Sequence, residues 1–177
     1  MSAITIETIN PATGKVIAKY QNMDDDQVRE KVKNARLALH GWKNLDIGER
    51  CSIVRNLGRV MRKNKNEYAK LITEEMGKPI RQAIAEVEKC AWLCDYYSET
   101  AETFLRDELI PTEFRKSFVS FEPIGIIAGI MPWNFPFWQA MRFAIPALTA
   151  GNVEILKHSS VCLGSAIELE KAFTDAG

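Results

Sequence analysis

A single asparagine sits among two prolines, two tryptophans and two phenylalanines in Met131-Pro132-Trp133-Asn134-Phe135-Pro136-Phe137-Trp138. The stretch follows the apolar run Ile124 to Met131 and precedes a helical pattern. It therefore leaves the carboxyl end of an expected strand and opens a helix, which is where open α/β sheets bind ligands. Pro136 suits a first helical turn. Asn134 has two readings: its side chain accepts a free backbone N–H as a helix cap, or its carboxamide points out of the turn and donates to an oxyanion. So many rings and prolines exceed what a cap requires, which favours the second. Trp138 and Arg142 follow Asn134 at four-residue steps, which puts an aromatic ring and a guanidinium on one helix face.

Other reactive side chains are less informative. Cys51, Cys90, Cys94 and Cys162 are too scattered for a disulfide framework in a chain this long, which fits a reducing cytoplasm. Cys90 and Cys94 share a helix face, but His40 and His158 are remote in sequence, so the pair reads as buried thiols and no metal site is expected. Lys157 ends a second apolar run and, on residue type alone, is an exposed lysine at a strand end. Arg55, Arg59 and Arg62 form a basic stripe that reads as a solvated face.

These residues need a frame. Ile4 to Ile6 and Val16 to Ala18 flank the turn-formers Asn10-Pro11-Ala12-Thr13-Gly14, a plausible hairpin. Asp24, Asp25 and Asp26 open a helix carrying Val28, Val32, Ala35 and Leu39 and ending near Gly41. Ile53, Val54, Leu57, Val60 and Met61 mark a second helix, and Tyr68, Leu71 and Ile72 a third that stops at Gly77. Spacing from Ile84 to Leu105 predicts a long helix from about Pro79 to Leu105. After Pro111 the texture changes. Ser117 to Phe121 reads as a strand, and Ile124 to Met131 as a parallel strand buried on both faces. A helix from about Phe135 to Thr149, a strand from Val153 to Leu156 and a helix from Ser160 to Ala176 complete a β-α-β-α order. The expected divisions are 1–110, hairpin and helices; 111–122, linker and strand; and 123–177, an incomplete dinucleotide-binding unit. Two parallel strands make a poor sheet, so the spacing predicts the N-terminal piece of a longer fold.

Composition agrees with a globular protein. The 177 residues are 46% hydrophobic and 26% charged, close to ordinary globular averages. Twenty-three basic and 23 acidic residues cancel, leaving no positive field to hold a nucleic acid backbone. No apolar run approaches the ~20 residues of a membrane helix, and the start lacks a secretory pattern.

Pro132-Trp133-Asn134-Phe135-Pro136 resembles the signature of the aldehyde dehydrogenase superfamily, and the resemblance runs through most of the chain. It includes Asn10-Pro11-Ala12-Thr13-Gly14, Glu75-Met76-Gly77-Lys78-Pro79, Pro123-Ile124-Gly125, and Ala150-Gly151-Asn152 leading to Lys157. It implies an α/β fold: a helical segment followed by an incomplete Rossmann-like unit. It also implies NAD or NADP as cofactor, a cysteine that attacks the aldehyde, hydride transfer to the nicotinamide, and a glutamate-activated water that releases the acid.

By that resemblance Asn134 stabilises the oxyanion, a neutral donor that ordinary pH does not titrate away. Met131, Pro132, Trp133, Asn134, Lys157, His158, Ser159 and Ser160 border the cofactor, with Trp133 along it and Lys157 on the adenosine ribose. His158 stands where the family usually has proline; a lysine-histidine pair resembles a branch of semialdehyde dehydrogenases, and His158 is a backbone neighbour of the cofactor, not a base. Ser160 falls where NAD-preferring members often carry glutamate, so NADP is tolerated; its other reading is a helix N-cap. Arg142 resembles the arginine that binds the carboxylate of succinic semialdehyde, with Trp138 beside it; its other reading is a surface arginine paired with an acid. The family's nucleophilic cysteine, general base and glycine loop have no counterpart here. The expectation is thus the N-terminal part of a succinate-semialdehyde dehydrogenase, inactive alone and homo-oligomeric when joined to its missing C-terminal part. The alternative is a non-catalytic product that binds a second polypeptide or a nucleotide.

Overall fold

In the computed structural model, which describes residues 4–177, local sequence signals set most element ends. An antiparallel hairpin pairs β1 (Thr5–Ile9) with β2 (Val16–Gln21). Helix α1 (Asp25–Asn44) starts at Asp24, whose side chain accepts the Gln27 N–H while Gln27 reaches back to the Asp24 N–H. Asp46 and Glu49 cap α2 (Ile47–Lys63) in the same reciprocal way. Each such box satisfies donors that a helix start leaves open. Helix α1 runs three residues past the expected end at Gly41, because a helical glycine with open space around it does not force a stop. Helix α3 (Lys65–Met76) does stop at Gly77, whose φ of 74° is the left-handed conformation that favours glycine. Helix α4 (Ile80–Phe104) matches the predicted long helix closely.

Beyond α4, β3 (Glu108–Leu109) and β4 (Phe118–Val119) form a short antiparallel ribbon. The strand expected over Ser117 to Phe121 is thus only two residues long, since its partner offers only two. Then β5 (Ile126–Ile130), α5 (Pro136–Thr149) and β6 (Val153–Lys157) make a parallel β-α-β unit. A 3-10 turn, Ser160–Cys162, leads into α6 (Leu163–Ala176).

The expectation that β5 is buried on both faces needs correcting: Ile130 is 79% exposed. An apolar run reports the surroundings a strand suits, and among the described residues only β6 lies beside β5. Helix α5 packs so closely on β5 that a Cβ at Gly129 would stand 2.5 Å from the Phe143 ring. One hydrophobic core unites Leu57 of α2, Ile72 of α3, Val87 of α4, Phe137 and Met141 of α5, and Leu169 of α6. It crosses the expected divisions at residues 110 and 123, and the helical part is the bed on which α5 and α6 lie.

Candidate functional site

The loop from Met131 to Phe135 joins β5 to α5 at the carboxyl ends of the parallel strands. Ile130 pairs with Lys157 in the β5–β6 register, and the Met131 N–H donates to the Lys157 carbonyl at 3.0 Å. The signature loop and Lys157 therefore leave the sheet side by side. Pro132, Trp133, Asn134, Lys157 and Ser160 are exposed, while Met131 and Ser159 are half-buried.

Backbone ties hold the loop along its length. The Cys162 thiol lies 3.7 Å from the Trp133 carbonyl. The Ser159 N–H donates to His158 Nδ1 at 2.8 Å, so Nε2 carries the ring proton and donates it to the Pro136 carbonyl, also at 2.8 Å. His158 is buried, and its ring is thus a strut between β6 and α5, a role the resemblance did not imply.

The start of α5 is not capped by Asn134. Phe135 holds the N-cap position and offers no side-chain acceptor, and Pro136 occupies the first turn. The N–H groups of Phe137 and Trp138 both donate to Oε1 of Glu86 on α4, at 2.9 and 3.0 Å. The other Glu86 oxygen meets the Lys78 ammonium in a buried ion pair, and Lys78 Nζ also stands 3.8 Å over the Phe135 ring. Sequence reasoning missed Glu86 and used Lys78 only within a motif. No local signal marked Glu86, because the N–H groups that it accepts lie 51 and 52 residues away. Glu75 does the same for α6: it accepts the Gly164 N–H, the Ser165 N–H and the Ser165 hydroxyl at 2.7 to 2.9 Å.

The Asn134 carboxamide is left with no hydrogen bond among the described residues, as is Arg142, which is exposed on α5 and belongs to none of the ion pairs there. Trp138 is half-buried against the core with Lys89 Nζ 3.9 Å over its ring. The one-face placement of Asn134, Trp138 and Arg142 holds only in part, because Asn134 precedes the helix. Ser160 does not cap a helix either: the cap is Ser159, whose side chain accepts the Val161 N–H.

All four cysteines are free and buried. Burial pushes the Cys162 and Cys94 thiols up to about 12, and raises Cys51 and Cys90 as well. A nucleophilic cysteine needs the opposite shift, and each of these four thiols is buried. No group of three His, Cys, Asp or Glu side chains among the described residues is arranged to hold a metal ion.

A parallel β-α-β unit with an exposed loop and lysine at the strand ends has the arrangement of an open α/β fold, whose ligands bind at the carboxyl ends of the strands. The particular family follows from comparison. The profile of the aldehyde dehydrogenase family matches residues 1–177, and the chain belongs to that family. It is 41% identical over 174 residues to a protein of Synechocystis sp. named probable succinate-semialdehyde dehydrogenase (NADP(+)), covering 98% of this chain and 38% of the relative. It is 39% identical over 170 residues to succinate semialdehyde dehydrogenase (NAD(P)+) Sad of Escherichia coli, covering 96% of this chain and 37% of that protein. The crystal structure of succinic semialdehyde dehydrogenase from Streptococcus pyogenes with NADP+ superposes with a TM-score of 0.93 at 32% identity, over 97% of this chain and 38% of that one. The chain thus spans well under half the length of the relatives it matches.

Proposed function

We propose that this chain supplies the oxyanion donor, the substrate arginine and part of the cofactor face of an aldehyde dehydrogenase that oxidises succinic semialdehyde to the carboxylate, with the nucleophile and general base drawn from sequence outside these 177 residues. One observation carries the reading: the loop around Asn134 is tied by its backbone on both sides while the carboxamide stays exposed and unbonded. A polar group carried on backbone fixed on both sides, with no partner of its own among the described residues, is placed to meet charge that develops in a reaction.

Arg142, exposed and without an ionic partner among the described residues, suits the substrate's distal carboxylate, and the names of the Synechocystis and E. coli relatives support that substrate class. A bound dinucleotide supplies the hydride acceptor. Trp133, Lys157 and Ser160 stand exposed at the strand ends, where its adenosine half fits, and the neutral Ser160 hydroxyl leaves an NADP phosphate unopposed. The β3–β4 ribbon, with Leu109 and Phe118 exposed, is proposed to join neighbouring subunits in a homo-oligomer. Four free thiols fit a reducing cytoplasm.

The test is a chimaera in which residues 1–177 replace the matching stretch of the Synechocystis relative. It should reduce NADP in the presence of succinic semialdehyde, and Asn134→Ala should lower kcat by about 10²- to 10³-fold without changing NADP affinity. A folded chimaera without activity, or an Asn134→Ala form with parental kcat, refutes the reading.

A further inference from the structure

Helix α5 has no cap of its own. Its N-cap residue is apolar, and its first residue, Pro136, has no N–H to give. The next two donors, Phe137 and Trp138, converge on a single oxygen of Glu86, which comes from α4 and lies 51 residues earlier than Phe137 in sequence. Lys78 holds the second oxygen and covers the Phe135 ring. With side-chain exposures of 6% for Lys78 and 1% for Glu86, water does not compete for the pair, and either group alone would be a costly buried charge. Every contact just named falls within four residues after Asn134: the ring of Phe135 and the N–H groups of Phe137 and Trp138. The carbonyl of Pro136, between them, is held by His158.

We infer that Glu86, itself fixed by Lys78, is the positioning residue for Asn134: it sets where α5 begins and so where the signature loop aims the carboxamide. The inference rests on the proposed role of Asn134. Donors to a transition-state oxyanion act over tenths of an ångström, and a misplacement of about 1 Å costs on the order of 100-fold in rate. The pair's geometric reach thus exceeds its value as a core contact. What matters is the Oε1 acceptor; the ammonium keeps that oxygen in place.

Two variants separate positioning from packing. Glu86→Asp pulls the acceptor back by one methylene, whereas Lys78→Met with Glu86→Gln keeps an acceptor oxygen at the same reach and removes both charges together. In the chimaera, with rates referred to folded enzyme, Glu86→Asp should lower kcat about tenfold while KM for the aldehyde stays within about twofold, because the lost interaction belongs to the transition state. The double variant should keep kcat within about threefold of the parent. In the 177-residue chain, hydrogen exchange at the Phe137 and Trp138 amides should speed up in Glu86→Asp and stay slow in the double variant. Parental kcat in Glu86→Asp, or unchanged amide exchange there, overturns the inference. If the parent chimaera is folded but inactive, the proposed function fails, and the exchange measurement alone then decides whether Glu86 positions the loop.

Discussion

Arg142 shows how much one side chain decides. An exposed guanidinium without an ionic partner among the described residues is open to a carboxylate ligand, and its planar fork meets one with two hydrogen bonds. Arg142→Leu in the chimaera should raise KM for succinic semialdehyde by about 30-fold relative to its effect on butanal, equivalent to about 2 kcal/mol for a desolvated pair. Steady-state kinetics with both aldehydes checks this, and equal changes would show that Arg142 supports the fold instead. That Asn134 lies in the loop after a strand, Lys157 at a strand end and Arg142 on a helix was legible in the sequence, because each of those placements follows from a local signal. Glu86 and Glu75 were not. Their hydrogen bonds span 51 residues to Phe137 and 89 to Gly164, and no local pattern reports a partner so distant. The His158 strut was hidden for the same reason, since its partner Pro136 lies 22 residues away.

At the level of elements, apolar periodicity and caps located the helices to within a few residues, because both signals act inside one helix. The strands were read less well, since a strand's length and burial depend on what lies beside it; β4 and β5 both show this. Two elements carry measurable consequences. Glu75→Ala would leave the Gly164 and Ser165 donors at the head of α6 without their acceptor, costing about 3 kcal/mol. Thermal unfolding should show a Tm lower by about 10 °C. On β6, burial pushes the Glu154 carboxyl up to about 8 from 4.5, and its Oε1 finds no hydrogen-bond partner among the described residues. Between those two pH values the native state holds a proton that the unfolded chain has released, so stability falls as pH rises from about 4.5 through about 8. Glu154→Leu should raise Tm at pH 8.5 and change it little at pH 4, as denaturation scans at the two pH values will show.

For the whole molecule, the single core and the exposed sheet pull in opposite directions. The helices bury a continuous apolar cluster, while Ile124, Ile130 and Trp133 stand 85, 79 and 51% exposed around the ends of β5. The 177-residue chain by itself should therefore bind a hydrophobic dye and fail to oxidise aldehydes, since all four of its thiols are buried. Aldehyde-dependent NADPH formation by the purified chain would contradict this. The placement of the two buried glutamates also bears on the order of assembly. Glu75 and Glu86 belong to α3 and α4, and the helix starts they serve belong to α6 and α5. During synthesis the acceptors leave the ribosome well before their donors. The starts of α5 and α6 are therefore completed only by tertiary contact with helices made before them, and the signature loop is set by packing between segments far apart in the chain.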